Sequence, residues 1–286
     1  MIFRILTIIV FSLSGLLAAA FAVPSLLADQ FRIGGSSMSP TLGTGDHVLV
    51  NKLLMGGRIY TKYDFSDPDM ECFRMPGFRD IRPGDVAVFN YPFGREGRGI
   101  EFKMNYVYAK RCVGCPGDSV SIVNGYYANN HTPGPIGDIA NQDFLSSTPD
   151  SVLASMGVVL GACFYAPEKH WTIKDYGPLY IPAKGDRIPI DTTAAKLYAS
   201  QIEFETGFFP EITKDGVRLD GRPMTEYEFA SDWYFFGGDN VINSKDSRYI
   251  GLVPKDYIVG VATRIIYTES LYKSKLRWKR IPRPHN

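Results

Sequence analysis

A mainly β fold tethered by one N-terminal helix is what this sequence predicts, and three observations predict it. Short runs of alternating or β-branched residues follow Gly-Asp pairs at three places. Aromatic residues make up 13% and are joined by 28 Gly and 19 Pro, which suits short strands and tight turns. The one long uncharged stretch, residues 5–28, stands at the N-terminus between Arg4 and Asp29. With 286 residues the chain fits one large domain or two modest ones. Charged residues at 21% and hydrophobic ones at 45% exclude a disordered chain and a polytopic membrane protein. Lys and Arg total 31 against 30 Asp and Glu, so no global field draws nucleic acid, and no nucleic-acid partner is expected. Four cysteines are too few for a disulfide scaffold.

The uncharged stretch is long enough to span, since a bilayer core needs about 20 apolar helical residues. A retained anchor, a cleaved leader and a buried core helix all accommodate such a run. Ala18, Ala19, Ala20 and Ala22 mimic a cleavage site, and Pro24 ends or kinks the helix near the outer interface. The next motif follows within nine residues, which favours a transmembrane anchor over residues 1–28. Arg4, the only early positive charge, favours an inside N-terminus, with residues 29–286 exterior.

Residues 47–50, 86–89 and 119–123 read as strands, entered through Gly45-Asp46, Gly84-Asp85 and Gly117-Asp118. Glycine supplies the unusual backbone angle of a turn, and aspartate bonds its own backbone two residues on. Residues 126–230 are turn-rich and mixed, and read as an inserted lobe. The insertion would divide a β-rich core into residues 29–125 and 231–270. Within it, residues 193–206 form a helix candidate without a clean apolar face, and Asp220-Gly221 marks a hairpin. Residues 258–267 are a late β-branched strand with Gly260 at a bulge. Residues 271–286 form a basic tail, suited equally to anionic lipid headgroups and to solvent.

Serine, lysine and carboxylates dominate the informative segments. His47, His131, His170 and His285 are scattered and stand in no nucleophile or zinc pattern, so each is expected at the surface. A Ser-His-Asp hydrolase is disfavoured. The first candidate segment is Gly34-Gly35-Ser36-Ser37-Met38-Ser39-Pro40-Thr41-Leu42, where paired glycines allow close approach of a ligand and proline stiffens the chain. In the second, residues 106–118, Lys110 interrupts an apolar and aromatic strand. Loss of hydration there disfavours the charged amine, and a neutral amine is what a serine needs as general base. The third is the polar cluster of residues 237–248. Taken singly, each is also compatible with an ordinary loop, a half-exposed strand lysine or a solvated turn.

Together and in this order, the segments resemble the bacterial type I signal peptidases, the membrane-bound Ser-Lys leader peptidases. The matching residues are Ser37-Met38-Ser39-Pro40-Thr41-Leu42, Gly84-Asp85-Val86, and Lys110-Arg111 with Gly114 and Pro116-Gly117-Asp118. They continue in Gly238-Asp239-Asn240, Asn243-Ser244, Asp246-Ser247-Arg248 and Gly251. The long insertion, Tyr227-Glu228-Phe229 and the tail Arg277-Trp278-Lys279-Arg280-Ile281 look like the Bacteroidetes form of the family.

The resemblance implies a signal-peptidase-like β-rich catalytic domain, with Ser37 as nucleophile, Lys110 as general base and Ser244 as the hydroxyl that orients the lysine. The Ser37 N–H would supply one oxyanion donor; Gly35 stands where many members carry a second, hydroxyl donor. Val241 stands where the family often has arginine. Ile33, Gly35, Met38, Leu42, Tyr108 and Ala109 match positions that line shallow pockets for small residues before the cut, alanine above all. Arg111, Asp239, Asp246 and Arg248 are expected to form structural ion pairs. The expected partners are signal-peptide-bearing preproteins and the lipid bilayer, the chain a monomer, with no cofactor or metal. A specialised processing peptidase for a pilus or conjugation precursor, and an inactive membrane-tethered binding module, are the rival readings; an SOS-repressor-type autoprotease would need a DNA-binding half that is not evident. Cys112 and Cys115 form a C-x-x-C within the lysine segment, where burial as small hydrophobes is expected over redox or metal roles. Cys72 and Cys163 are open to pairing in an oxidising exterior.

Overall fold

The computed structural model describes residues 2–22, 26–61, 71–92, 99–104, 106–163, 165–269 and 274–282. Pro24, Lys273, Arg283 and His285 lie outside the described residues. The N-terminal helix α1 (Ile2–Ala22) is followed by β1 (Ala28–Arg32), so the uncharged run ends inside the first strand. Every described side chain of α1, residues 4–20, is exposed, including Leu6, Ile8, Phe11 and Leu16. That removes the buried core helix from the three readings. Over the described residues, no helix is long and apolar enough to cross a membrane.

Each remaining stretch folds largely as its residues dictate. β2 (Asp46–Asn51), β3 (Arg58–Tyr60), β4 (Cys72–Arg74), β5 (Val86–Asn90), β6 (Val107–Gly114), β7 (Ser119–Val123) and β8 (Tyr126–Asn129) come before the insertion's helices. The Gly-Asp entries are turns with Gly45, Gly84 and Gly117 at φ of 87°, 90° and 88°. Their aspartates bond differently from expectation, reaching backward rather than forward. Asp46, Asp85 and Asp118 accept from the N–H groups of Gly43, Arg82 and Cys115 at 2.8, 3.1 and 2.8 Å. Each carboxylate thus caps the donor that opens its own turn. A fourth copy, unnoticed in the sequence, is Gly185-Asp186, whose carboxylate accepts from Ala183 N–H at 2.8 Å.

Residues 126–230, expected as an inserted lobe, open with β8 and go on through α2 (Ile139–Ser147), α3 (Asp150–Ser155), β9 (Tyr176–Tyr180), β10 (Arg187–Pro189), α4 (Thr192–Leu197) and α5 (Ala199–Thr206). The single helix expected at 193–206 is therefore two, broken at Tyr198, which leaves helical geometry at φ −108° and ψ 11°. β11 (Glu211–Thr213), β12 (Gly216–Leu219) and β13 (Arg222–Pro223) follow, the last two paired around Asp220-Gly221 as the hairpin signal predicts. The chain closes through β14 (Glu226–Glu228), β15 (Trp233–Gly237), α6 (Ser247–Ile250), β16 (Val253–Pro254), β17 (Ile258–Glu269) and β18 (Ser274–Arg280).

The main sheet runs β1-β2-β17-β5-β6-β15-β16, and β18 pairs with the far half of β17. The 12-residue β17 organises it, with β2 along one edge and β5 then β18 along the other. The β5 register shifts between Ile258 and Gly260, the expected bulge. Of the residues expected as a basic tail, 274–280 are strand β18.

β15 is buried at every residue, Trp-Tyr-Phe-Phe-Gly. Full burial of such a side chain is worth roughly 1.5–3 kcal/mol, so this strand is a major contributor to cohesion. Val113 of β6 and Phe235 of β15 share one apolar cluster with Leu145 of α2 and Ile202 of α5. The insertion therefore packs into the core of the main sheet. All four cysteines are free; Cys112 is buried, and its Sγ lies 3.6 Å from that of half-buried Cys115. Cys72 and Cys163 are not joined. His47 corrects the surface expectation: it is 8% exposed, stacked on Tyr267 because β2 lies beside β17.

Candidate active site

Ser37 stands five residues beyond β1, where the chain curls into short turns; Ser39 N–H reaches Ser36 O at 3.0 Å and Leu42 N–H reaches Met38 O at 2.9 Å. These turns bury Met38 and Leu42 and leave the Ser37 hydroxyl facing the sheet. Lys110 is the fourth residue of β6, paired in register with Ala87 of β5. Its Nζ donates a hydrogen bond to Ser37 Oγ. The residue is 3% exposed. Burial pulls its amine down to about 8, a loss that Asp246 and Asp239 partly offset and Arg248 reinforces. The Tyr108 ring lies 5.0 Å from Nζ and supplies one apolar wall.

Two buried ion pairs hold the loop after β15 against this pair. Arg111 follows Lys110 and so points to the opposite face of β6. There its Nε and Nη2 bond both carboxylate oxygens of Asp239 at 2.7 and 2.5 Å. Thr41 Oγ1 donates to the same carboxylate at 2.5 Å, which ties the nucleophile loop into the pair. Arg248 grips Asp246 through two bonds of 2.8 Å and donates to Val241 O at 2.9 Å. Burial pushes the Asp246 carboxyl up, but the Arg248 guanidinium and the Gly238 N–H prevail and hold it below the usual carboxylate range. Val241 thus meets a guanidinium with its carbonyl while its side chain enters the core.

The loop also clamps the nucleophile segment. Asn240 N–H donates to Ser37 O at 3.0 Å, and Asn240 Nδ2 to Ser36 O at 3.2 Å. Gly238 permits this approach: a methyl group there would collide with Ser244 and the Ser37 carbonyl. Ser244 Oγ is buried and completes no hydrogen bond, although the hydroxyl is near enough to Asp246 to help lower its pKa. The expected bond from Ser244 to the lysine amine does not form.

Of the expected pocket residues, Ile33, Gly35, Met38, Tyr108 and Ala109 line a cleft of about 590 Å³ together with Ser37 and Lys110. Leu42 does not; it is fully buried behind the cleft, packed with Ile33 and Met38. Gly35 has open space where a side chain would stand. Asn141 escaped sequence reasoning, yet its Nδ2 bridges Ser39 O at 3.0 Å and Asp239 O at 2.9 Å. Its one local cue is Asp138, which caps α2 by accepting from Asn141 N–H. Among the described residues, no three His, Cys, Asp or Glu side chains gather into a metal-binding group.

A hydroxyl held against a buried amine of lowered pKa is equipped for nucleophilic attack without histidine. A family model described as signal peptidase, peptidase S26, matches residues 5–267. The chain belongs to the signal peptidase family, peptidase S26. It is 27% identical over 248 residues to "Signal peptidase I" of Pseudomonas fluorescens, covering 83% of this chain and 64% of that protein. It is 26% identical over 273 residues to "Signal peptidase I" of Buchnera aphidicola subsp. Schizaphis graminum, covering 91% and 76%. It is 28% identical over 275 residues to "Signal peptidase I" of Haemophilus influenzae, covering 93% and 70%. The chain spans about two thirds of the length of these signal peptidases.

Proposed function

We propose that this protein is a serine endopeptidase that removes signal peptides from preproteins, with Ser37 as nucleophile and Lys110 as general base. The observation that carries the reading is the contact of Lys110 Nζ with Ser37 Oγ in a setting that lowers the amine's pKa to about 8. A neutral amine takes the hydroxyl proton as Oγ attacks the scissile carbonyl, then returns it to the leaving amine. The developing oxyanion would receive the Ser37 N–H, which donates to nothing else among the described residues. The shallow cleft under Ile33, Tyr108 and Ala109 suits small side chains before the cut, of the Ala-x-Ala type.

The helix α1 would serve as an anchor in the bacterial plasma membrane, with the catalytic domain on its outer side. Its support is an apolar helix exposed on all sides, which water does not favour. The placement in the Bacteroidetes form rests on the insertion, Tyr227-Glu228-Phe229 and β18, and the monomeric state on the presence of both Ser37 and Lys110 in one chain.

Incubation of the detergent-solubilised protein with a signal-peptide-bearing precursor, followed by sequencing of the new N-terminus, tests the reading. A cut after a small residue at the end of the signal segment is expected. Ser37→Ala and Lys110→Ala should each abolish it, and their losses should not add. Near-parental cleavage by either variant would overturn the assignment.

A further inference from the structure

The cleft at Ser37 has a neighbour. A groove of about 1270 Å³ runs between the insertion and the loop after β15, lined among others by Tyr165, Gln201, Glu203, Phe209, Ile212 and Tyr249. The two cavities meet at Asn243 and Lys245, which line both, with Ser244 on the groove side. We infer that this groove binds the first residues of the mature protein, those just beyond the scissile bond, and that it makes the insertion a substrate-specificity element. The inference rests on the peptidase reading above.

Polypeptide geometry is the first argument. A chain attacked at Ser37 must leave the site in two directions. The segment on the signal side occupies the cleft between residues 31–38 and 106–110. The other segment departs past the lysine amine that protonates it, hence past residues 243–245 and into the groove.

Unspent hydrogen-bonding capacity is the second. Gln201 is 2% exposed, and its Oε1 has no partner; Glu203 Oε2 is buried and likewise unpaired. Such acceptors are uncommon and call for an explanation. Glu205, two residues on in α5, supplies the contrast: its carboxylate accepts from Tyr227 OH, Ala230 N–H, Ser231 N–H and Trp233 Nε1 at 2.8–3.0 Å. The last torsion of a glutamine or glutamate is broad, so either oxygen can turn toward an N–H laid in the groove. An extended peptide brings one such donor per residue, and its apolar side chains match Phe209 and Ile212, which are 55% and 45% exposed. The occupant is therefore an extended, apolar to neutral mature-side segment.

The test uses the full chain in detergent and two precursor peptides with identical signal sides. One continues roughly eight residues past the cut and the other roughly two, and the parent should cleave the longer with about tenfold higher kcat/KM. Phe209→Asp and Ile212→Asp, both at exposed positions, should bring the longer peptide down to the shorter one's value and leave the shorter unchanged. A photo-crosslinker at position 209 in a Ser37→Ala background should capture mature-side residues of a bound precursor. Equal kcat/KM for the two peptides, with the cut in the expected place, overturns the groove and leaves the peptidase reading intact. A parallel fall on both peptides, or an adduct to the signal side, to lipid or to a second copy of the chain, also overturns it. Absence of cleavage of either peptide by the parent defeats the peptidase reading instead.

Discussion

Lys110 concentrates the conflict between stability and chemistry in one side chain. As the general base proposed above it would work only when neutral, so kcat/KM should rise with pH through an inflection near 8, the value to which burial brings its amine. The same burial has a consequence for folding. Below about 8 the folded state holds a charged amine away from water, a cost the unfolded chain escapes; above the ordinary value of 10.5 the amine is neutral in both states. Stability contributed by this group therefore increases with pH between those limits. Lys110→Met should be inactive yet more stable than the parent near neutral pH by on the order of 2 kcal/mol, with the gap closing as pH approaches 10.5. Thermal unfolding of the two proteins at both pH values checks this; a Met variant less stable at neutral pH would contradict it. Gly35 offers a gain. Because a side chain there meets open space, Gly35→Ser can add a hydroxyl beside the site, and a severalfold higher kcat at unchanged KM is expected if that hydroxyl reaches the oxyanion. Ser244→Ala should lower kcat by about tenfold if the hydroxyl orients the amine, and Ser244→Thr should retain more activity.

The elements that carry these residues are held by buried charge. Arg111 and Asp239 are 2% and 0% exposed, so Arg111→Met leaves a carboxylate buried without its guanidinium. A loss of about 3–5 kcal/mol is expected from urea unfolding, and pairing the change with Asp239→Leu should recover part of it. Asn141→Ala removes two bonds from α2 to the backbone at Ser39 and Asp239, and should lower kcat severalfold with little change in KM. Much at this scale was legible in the sequence. The Gly-Asp turns and the Asp220-Gly221 hairpin are local events, governed by φ and by hydrogen bonds a few residues long, whereas the bulge at Gly260 was legible only through its glycine and forms in the pairing with β5. The break at Tyr198 was not legible, because α4 and α5 are amphipathic only weakly and their packing decides where one stops. The strand β18 was not legible either: its basic composition describes a surface segment, and only the free edge of β17 makes it a strand.

At the scale of the molecule, α1 and the groove make complementary demands. A preprotein tethered by its own apolar segment would present its cut site close to the membrane, and β1 begins only six residues after α1 ends. External protease applied to spheroplasts should digest everything from β1 onward while sparing α1. A domain protected until lysis, or a mature chain that begins near Asp29, would refute the anchored topology. On the proposed reading of the groove, residues 126–230 gain a role at this scale as well. Their helices close one side of the groove beside Ser244, and their apolar cluster is continuous with β6 and β15, so changes within them should be felt at the site.

The sequence by itself pointed to the candidate residues: the ordered segments around Ser37, Lys110 and residues 237–248 carry the family resemblance without coordinates. It also determined the turns, since glycine at positive φ and an adjacent carboxylate act locally. Leu42 and Met38 mark its limit, because four residues apart on one curl they look alike, yet only Met38 borders the cleft. Asn141 marks another, being about a hundred residues from each of the carbonyls it bridges. Which apolar side chain faces a substrate, and which distant amide reaches a catalytic loop, depend on contacts between segments far apart in the chain. The tertiary structure decided these, because burial and the lowered pKa of Lys110 arise only when β6, the Ser37 loop and the loop after β15 exclude water together.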